Sequence, residues 1–554
     1  MIARKTNAIW RNCCWGLAFV LLIPVLVMLF AGMSASTNIF MHLWQTVLPT
    51  YLANTLILGF GVVLLSTFFG VISAAIIVQT NVIGKTYLRW LLLLPLAMPA
   101  YLVAYLYTDL LDYAGPVQRA LRACFSWQSP QDYYFFDMRT LPGAIFIIAL
   151  VLFPYVYMLA RTAFEQQDQN LLRVSRLLGL STRQSFFKVA LPLARPAIGI
   201  AASLVLMETL ADFATVQYFS VNTLTTAIYD TWLGYGDLPA ANALASVLML
   251  FIFFTVIGEQ RARSKQNHQS NRPNSNKSLI ILSKFEQFLY SSFCWLLVLL
   301  GFLLPFTLLM VMAFEYSNFE QFLMLLPSGI NSIEIAFITA TITIVLGLFF
   351  ILYQRLSRDQ WRGVPQTISG FGYAIPGTVL AMAMLATFAP LDHFINDLAK
   401  FFDYKAPGLI LSGSIFALVF AYVVRFAAIA NGTIASGVEQ IPPSVDFAPA
   451  SLGMGLNKML IKVHLPLLNN SLLVAWLLVF IEAMKELPAV LLLRPFNFET
   501  LSTQIYQLIS DEMLEQGALG AIFIVILGLV PIIWLNRYKD DTLITKCNAR
   551  EDRV

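Results

Sequence analysis

LGLSTRQSFFKVALP, residues 178–192, returns as LGMGLNKMLIKVHLP at 452–466. Leu, Gly, Lys, Val, Leu and Pro recur at matching places, and each copy sits between strongly apolar segments. A charged stretch that interrupts apolar sequence twice in the same way points to a duplicated unit. The repeat extends well beyond these loops. Asn54 aligns with Asn331, Gly70 with Gly347 and Pro99 with Pro376, all 277 residues apart. Gly179 pairs with Gly453, Pro192 with Pro466 and Glu208 with Glu482 at a separation of 274, and TLTTAIY (223–229) pairs with TLSTQIY (500–506) at 277.

The apolar segments decide the class. Of 554 residues, 58% are hydrophobic and 12% charged, with a mean hydropathy of +0.72, about half the charge of a soluble domain. Runs long enough to cross a hydrocarbon core of ~30 Å as helices lie near 15–34, 53–78, 89–111, 143–162, 196–218, 241–258, 287–314, 333–353, 370–388, 407–431, 471–493 and 516–535. Pro and Gly interrupt 89–111 and 370–388. The expected fold is an all-α polytopic membrane protein with about 12 transmembrane helices in two tandem six-helix halves. Alternating β-barrel strands do not produce runs such as LLLLPLA or AIFIIALVLF. Six spans per half give the two copies the same orientation and a pseudo-symmetry axis along the membrane normal.

The first apolar run follows Arg4, Lys5 and Arg11 and exceeds a signal-peptide core, so it reads as a retained anchor. With both termini inside, most of the 35 Lys and Arg residues fall on the cytoplasmic side, including Arg89, Arg161 and Arg425 at inner ends of spans. Arg119, Arg122, Arg139, Lys400, Lys405 and Arg494 fall outside, and Lys485 lies at the edge of a span. This bias follows the positive-inside rule and places both quoted loops in the cytoplasm. The net charge of +4 therefore reports topology and gives no reason to infer nucleic acid. Five scattered cysteines and four scattered histidines suggest neither a disulfide framework nor a metal site. The domain reading is a first half, 1–258, with its loop at about 163–195; a polar linker, 259–286; and a second half, 287–554, with its loop at about 432–470.

In the first loop LLRVSRLLG reads as a short helix ending at Gly179, a residue favoured just past a helix C-terminus. Ser181 and Gln184 have capping-box spacing, opening a second helix that carries Phe186, Phe187 and Val189 and stops near Pro192. In the second loop Gly455 replaces Ser181, but Gly453 and Pro466 keep the spacing. Such an apolar helix-turn-helix fits a partner's groove; an amphipathic surface hairpin is the plainer alternative. GKT at 84–86 lacks the first Gly of a phosphate loop, since Gln79 stands there, and lacks the strand context.

The loops resemble the EAA, or coupling, loops of ABC importer permeases: RVSRLLGLSTRQSFFKVALPLARPAI and SLGMGLNKMLIKVHLPLLNNSLL carry that motif's Gly and LP. LPLAMPAYLVAY, IPGTVLAMAM, METLADFATVQYFSVNTLTTAIY and KELPAVLLLRPFNFETLSTQIY are similar to segments of fused ferric iron permeases. The resemblance implies a type I importer fold, a nucleotide-binding ATPase at each coupling loop and an extracytoplasmic binding protein that delivers ferric iron. It further implies that ATP and Mg are used by the ATPase, with no cofactor on this chain, and that the chain resides in a bacterial inner membrane. The coupling residues it selects are Arg173, Gly179, Ser181, Lys188 and Pro192, with Phe447, Gly453, Lys462 and Pro466 in the second copy. Arg173 and Phe447 occupy the places of the family's acidic residue.

Ionisable groups inside a bilayer are functional candidates. Glu208 and Asp212, like Glu482 and Glu486, are four residues apart and so fall on one face of a continuous helix. Carboxylates suit a hard cation as ligands or counter-charges, which makes these four candidates for the cargo path; no firm metal site is assigned. The structural alternative pairs Lys485 with Glu482 and turns the others to polar seams. TLTTAIY and TLSTQIY read either as contacts for the binding protein or an external gate, or as packed amphipathic loops. Asp112, Asp132, Asp137, Asp392, Asp397 and Asp403 add negative charge to external loops. A permease of the same architecture for thiamine or another small solute, and a gradient-driven transporter using Glu208 and Glu482 as proton sites, are the rival functions.

Overall fold

A computed structural model of the chain describes residues 8–33, 37–167, 174–264, 282–316, 318–357, 359–439, 441–442, 444–446, 454, 456–530 and 533. Arg173, Phe447, Gly453 and most of the 259–286 linker lie outside the described residues. Among the described residues, ten helices have the length and apolarity to cross a membrane. They fall, with one bent pair and one shorter apolar helix, on the twelve segments expected from sequence. In chain order these are α1 (Ala8–Gly32), α2 (Leu48–Gln79), α3 (Lys85–Ala97 and Ala100–Phe125, bent by 92°), α4 (Leu141–Gln166), α5 (Thr182–Ala211), α6 (Leu238–Gly258), α7 (Lys284–Tyr316), α8 (Phe319–Leu356), α9 (Gly377–Phe401), α10 (Ile415–Glu439), α11 (Leu460–Lys485) and the shorter α12 (Leu514–Val530).

Both interruptions read from the sequence are breaks, made alike. A 3-10 turn, Leu94–Ala97 or Phe371–Ala374, leads into an extended residue and a Pro, after which the next helix begins at Ala100 or Gly377. Proline fits a helix start because its missing N–H would have no intrahelical partner there.

The tenth segment differs from the expectation. It runs Ile415–Glu439, eight residues later than 407–431, because Asp392 captures the preceding loop. Its carboxylate accepts hydrogen bonds from Leu411 N (2.9 Å), Ser412 N (2.8 Å) and Ser412 Oγ (2.6 Å). Asp392 is thereby buried and serves as a loop tether, a correction to its reading as external-loop charge. Arg425, read at an inner end, is moved to mid-helix.

Two compact units emerge, and they cut across the sequence halves. One comprises 1–44, 227–249 and 322–504; the other comprises 45–226, 250–321 and 505–554. In the first, α1 packs on 364–370 and α9, and Trp10 meets Tyr353 edge-on at 5.8 Å. In the second, Tyr107 of α3 donates to the Leu300 carbonyl of α7 at 2.7 Å. The leading span of each sequence half is thus built into the core of the other.

Within the second unit α2 lies close against α4. A Cβ at Gly70 would stand 2.5 Å from Val156 Cβ and 2.8 Å from the Tyr157 backbone N. Close approach at small residues drives helix packing in lipid, where no hydrophobic effect separates one apolar surface from another. At the repeated position, Gly347, the nearest groups are the Asn431 and Ile434 side chains at 3.1 Å. Gly70→Ala is therefore expected to cost ~1–3 kcal/mol by overpacking and Gly347→Ala less, read as thermal unfolding of the purified permease in detergent.

Candidate functional site

The first loop forms the helix-turn-helix expected of it. Val174–Leu177 are helical, Leu180 N bonds Ser175 O at 3.1 Å and Gly179 N bonds Arg176 O at 3.0 Å. Gly179 has φ +88° with open space where a Cβ would point, so backbone conformation alone selects glycine there. The capping box is present: Gln184 N donates to Ser181 Oγ at 3.3 Å and Ser181 N to Gln184 Oε1 at 3.0 Å. Ser175 Oγ and Ser185 Oγ lie 2.5 Å apart and tie the two arms together. Leu177 and Leu178 are 85% and 79% exposed, and Phe187 and the Lys188 side chain are also exposed.

The second arm does not stop at Pro192. It runs on to Ala211 as one helix, because a π turn over Phe186–Ala190 directly precedes Leu191 and Pro192. A proline inside an α-helix removes the bond to the i−4 carbonyl and clashes with it; the wider π turn reroutes those carbonyls. The second copy repeats the device 274 residues on, with a π turn over Leu460–His464 and then Pro466. Lys462 and Ile461 are exposed on it. It is also held differently: Asp446 contacts Arg355 Nε at 2.8 Å and the buried His464 Nε2 at 3.3 Å, whereas Ala190 occupies the place of His464 in the first copy.

At their far ends both arms break where the acids lie, which corrects the expectation of carboxylates along one helical face. α5 ends at Ala211 and α11 at Lys485, and Asp212 and Glu486 are extended residues. Asp212 accepts from Thr215 N (2.9 Å) and Thr215 Oγ1 (2.7 Å), capping the short helix Ala214–Tyr218. Glu486 accepts from Ala489 N at 3.3 Å, within Pro488–Leu493. Glu208 is half-buried, Glu482 is exposed and Glu486 is buried. The ion partner of Glu486 is Arg425 Nε at 3.2 Å, in place of the Lys485–Glu482 pair considered from sequence.

The repeated TLTT and TLST segments are buried and close these breaks. Thr225 Oγ1 donates to the Asp212 carbonyl at 3.1 Å, and Ser502 Oγ donates to the Glu486 carbonyl at 3.0 Å. Asn54 Nδ2 reaches the Asn222 carbonyl and Asn331 Nδ2 the Glu499 carbonyl, each at 2.9 Å. Thr223 N bonds Thr226 Oγ1 and Thr500 N bonds Thr503 Oγ1, again at 2.9 Å. Leu224 N finds Thr55 Oγ1 at 3.0 Å, and Leu501 N finds Ser332 Oγ at 2.7 Å. The sequence repeat is thus a repeat of individual hydrogen bonds. The repeat aligns Asn54 with Asn331 but carries no signal of their task, and Arg425 does not stand out in the sequence because its span reads eight residues early there.

A polytopic helical chain with paired exposed loops and broken spans has the form of a permease. Residues 66–264 match the model of the binding-protein-dependent transport system inner membrane component. An Fe(3+)-transport system permease protein of Haemophilus influenzae is 24% identical over 88% of this chain and 89% of its own length. A ferric transport system permease protein of Actinobacillus pleuropneumoniae is 25% identical over 92% and 74%. A molybdenum transport system permease protein of Escherichia coli is 30% identical over 34% of this chain and 78% of its own. The chain belongs to the family of binding-protein-dependent transport system inner membrane components, the multi-pass permease subunits of ABC importers, whose ATPase is a separate subunit.

Thr225→Val and Ser502→Ala each remove the hydroxyl that holds the carbonyl at a break. Each is expected to destabilise the purified permease by about 1 kcal/mol, with the two effects alike because the bond is the same in both copies. Thermal unfolding of the single variants checks this.

Proposed function

We propose that this chain is the fused two-half translocation subunit of an importer that takes up ferric iron from an extracytoplasmic binding protein, powered by two copies of a partner ATPase. The observation that carries the reading is the continuous helix Thr182–Ala211, which joins the exposed apolar loop to the break at Asp212. At 1.5 Å per residue it spans ~45 Å, so a displacement at the loop is delivered to the break without an intervening hinge. α11 supplies the same link in the second copy.

Both loops and both termini lie on the cytoplasmic side by the distribution of Lys and Arg. Leu177, Leu178 and Phe187 fill a groove on one ATPase, while Lys188 and Lys462 flank the contacts made by the two loops. Gly179 sets the turn of the first loop, Ser181 caps its second arm, and Pro192 and Pro466 follow the π turns; Arg173, Phe447 and Gly453 belong to the same ATPase contacts. ATP binding, with Mg, closes the ATPases and opens the permease outward to receive cargo, and hydrolysis resets it inward. Glu208, Asp212, Glu482 and Glu486 are the carboxylates near the breaks; Asp212 and Glu486 are held by the breaks' own bonds to Thr215, Ala489 and Arg425, and Glu208 and Glu482 are the oxygen donors suited to a trivalent cation. Iron as cargo is supported by the relatives named for ferric transport, which align over most of the chain.

In proteoliposomes holding the permease, its partner ATPase and its binding protein, the ferric-loaded binding protein is expected to stimulate ATP hydrolysis above the empty one. Stimulation only by another loaded solute, such as thiamine, would keep the architecture and remove iron. Leu178→Asp is expected to weaken ATPase association by about tenfold or more, since burying an unpaired charge in an apolar groove is strongly unfavourable; pull-down of the ATPase with the folded variant measures it. Glu208→Gln combined with Glu482→Gln is expected to slow iron uptake, and an unchanged rate in well-inserted protein would take those carboxylates out of the path.

A further inference from the structure

Arg425 lies ten residues into α10, ~15 Å along a helix that crosses a core of ~30 Å. An arginine at that depth needs a reason, and the surrounding contacts supply one. Its Nε lies 3.2 Å from Glu486 Oε2, at the break that ends α11. Its Nη1 donates to the Ile375 carbonyl at 3.2 Å, at the break that precedes α9. One guanidinium therefore touches both interruptions of the second half.

The surroundings are built around this contact. Tyr422, one turn before Arg425, points its hydroxyl at the Glu486 carbonyl at 3.5 Å, and Ser502 reaches the same carbonyl. Gly377, first residue of α9, leaves the space that the Glu486 carboxylate occupies, since a Cβ there would stand 2.5 Å from Glu486 Oε1 and 3.0 Å from Ala489 N. The hydroxyl bond to the carbonyl at the break is shared with the first half, where Thr225 makes it, but the charged contact is not. Val151 stands at the place of Arg425, Ala100 at that of Gly377 and Asp212 at that of Glu486, and Asp212 turns its carboxylate to Thr215 instead.

We propose that Arg425 is a positioning residue that clamps the two broken spans of the second half together through Glu486 and the Ile375 carbonyl, so that the break before α9 and the break after α11 shift as one during transport. Glu486 is thereby committed to Arg425 and is not a cargo ligand. This rests on the importer reading above for its coupling consequence, and on the geometry alone for the clamp.

The test uses the full permease, purified and then reconstituted with its ATPase and binding protein, carrying Arg425→Met, Glu486→Gln, both together, or Arg425→Lys. Each neutralising single variant leaves a buried charge without its partner, so Tm falls by a few degrees. The double variant recovers Tm because no lone charge remains. It does not recover stimulation of ATP hydrolysis by loaded binding protein, because the link to Ile375 is gone, whereas Arg425→Lys keeps part of both. Recovery of stability and stimulation together in the double variant would reduce the pair to a structural one and overturn the positioning role. Single variants with unchanged Tm would overturn the clamp itself. If the unaltered complex shows no stimulation by any loaded binding protein, the importer reading fails, and the Tm comparison still decides whether the clamp exists.

Discussion

A backbone carbonyl or N–H freed inside a bilayer has no water to bond, so a transmembrane helix can break only where other groups in the protein take up the released bonds. The breaks at Asp212 and Glu486 satisfy that demand twice by the same means. A hydroxyl from the TLTT or TLST segment takes the carbonyl at the break, a carboxylate caps the short helix beyond it, and an asparagine on the preceding long span holds the loop that carries the hydroxyl. The arrangement of α5 and α11, and the position of every acid in them, depends on those few bonds.

Much of this was legible in the amino acids. Apolar runs gave the approximate places of the spans, and the internal repeat gave their pairing. Gly179, Ser181 and Gln184 announced the turn and cap because cap chemistry is local and needs no tertiary contact. What could not be read was set by long-range bonds. Pro192 looks like a helix terminator until a π turn absorbs it. Leu409, Ile410 and Leu411 look like the start of a span until the buried carboxylate of Asp392 takes the backbone N–H groups of Leu411 and Ser412. The four-residue spacing of Glu208 and Asp212 assumes a helix that the Thr225 bond allows to end.

The two copies have diverged most in their charges. The hydrogen bonds at the breaks are conserved between them almost atom for atom, while Arg425, Asp446 and His464 have no charged counterparts at Val151, Leu172 and Ala190. A duplicated scaffold keeps its fold by repeating the bonds that satisfy the backbone. It can then change behaviour by adding ion pairs to one copy, because a buried pair fixes a geometry strongly even when its net contribution to stability is small.

The composition of the compact units also bears on how the chain is made. α1 leaves the ribosome well before two of its packing partners, 364–370 and α9. More than 300 residues separate it from them, some tens of seconds of synthesis at ~5–20 residues per second. During that interval α1 stays in the membrane without these two neighbours, although α6, close to it at Gly32, is already made. Biogenesis of this protein therefore joins early and late helices, and a chain stopped at the linker would leave α1 without 364–370 and α9, two of the surfaces against which it packs.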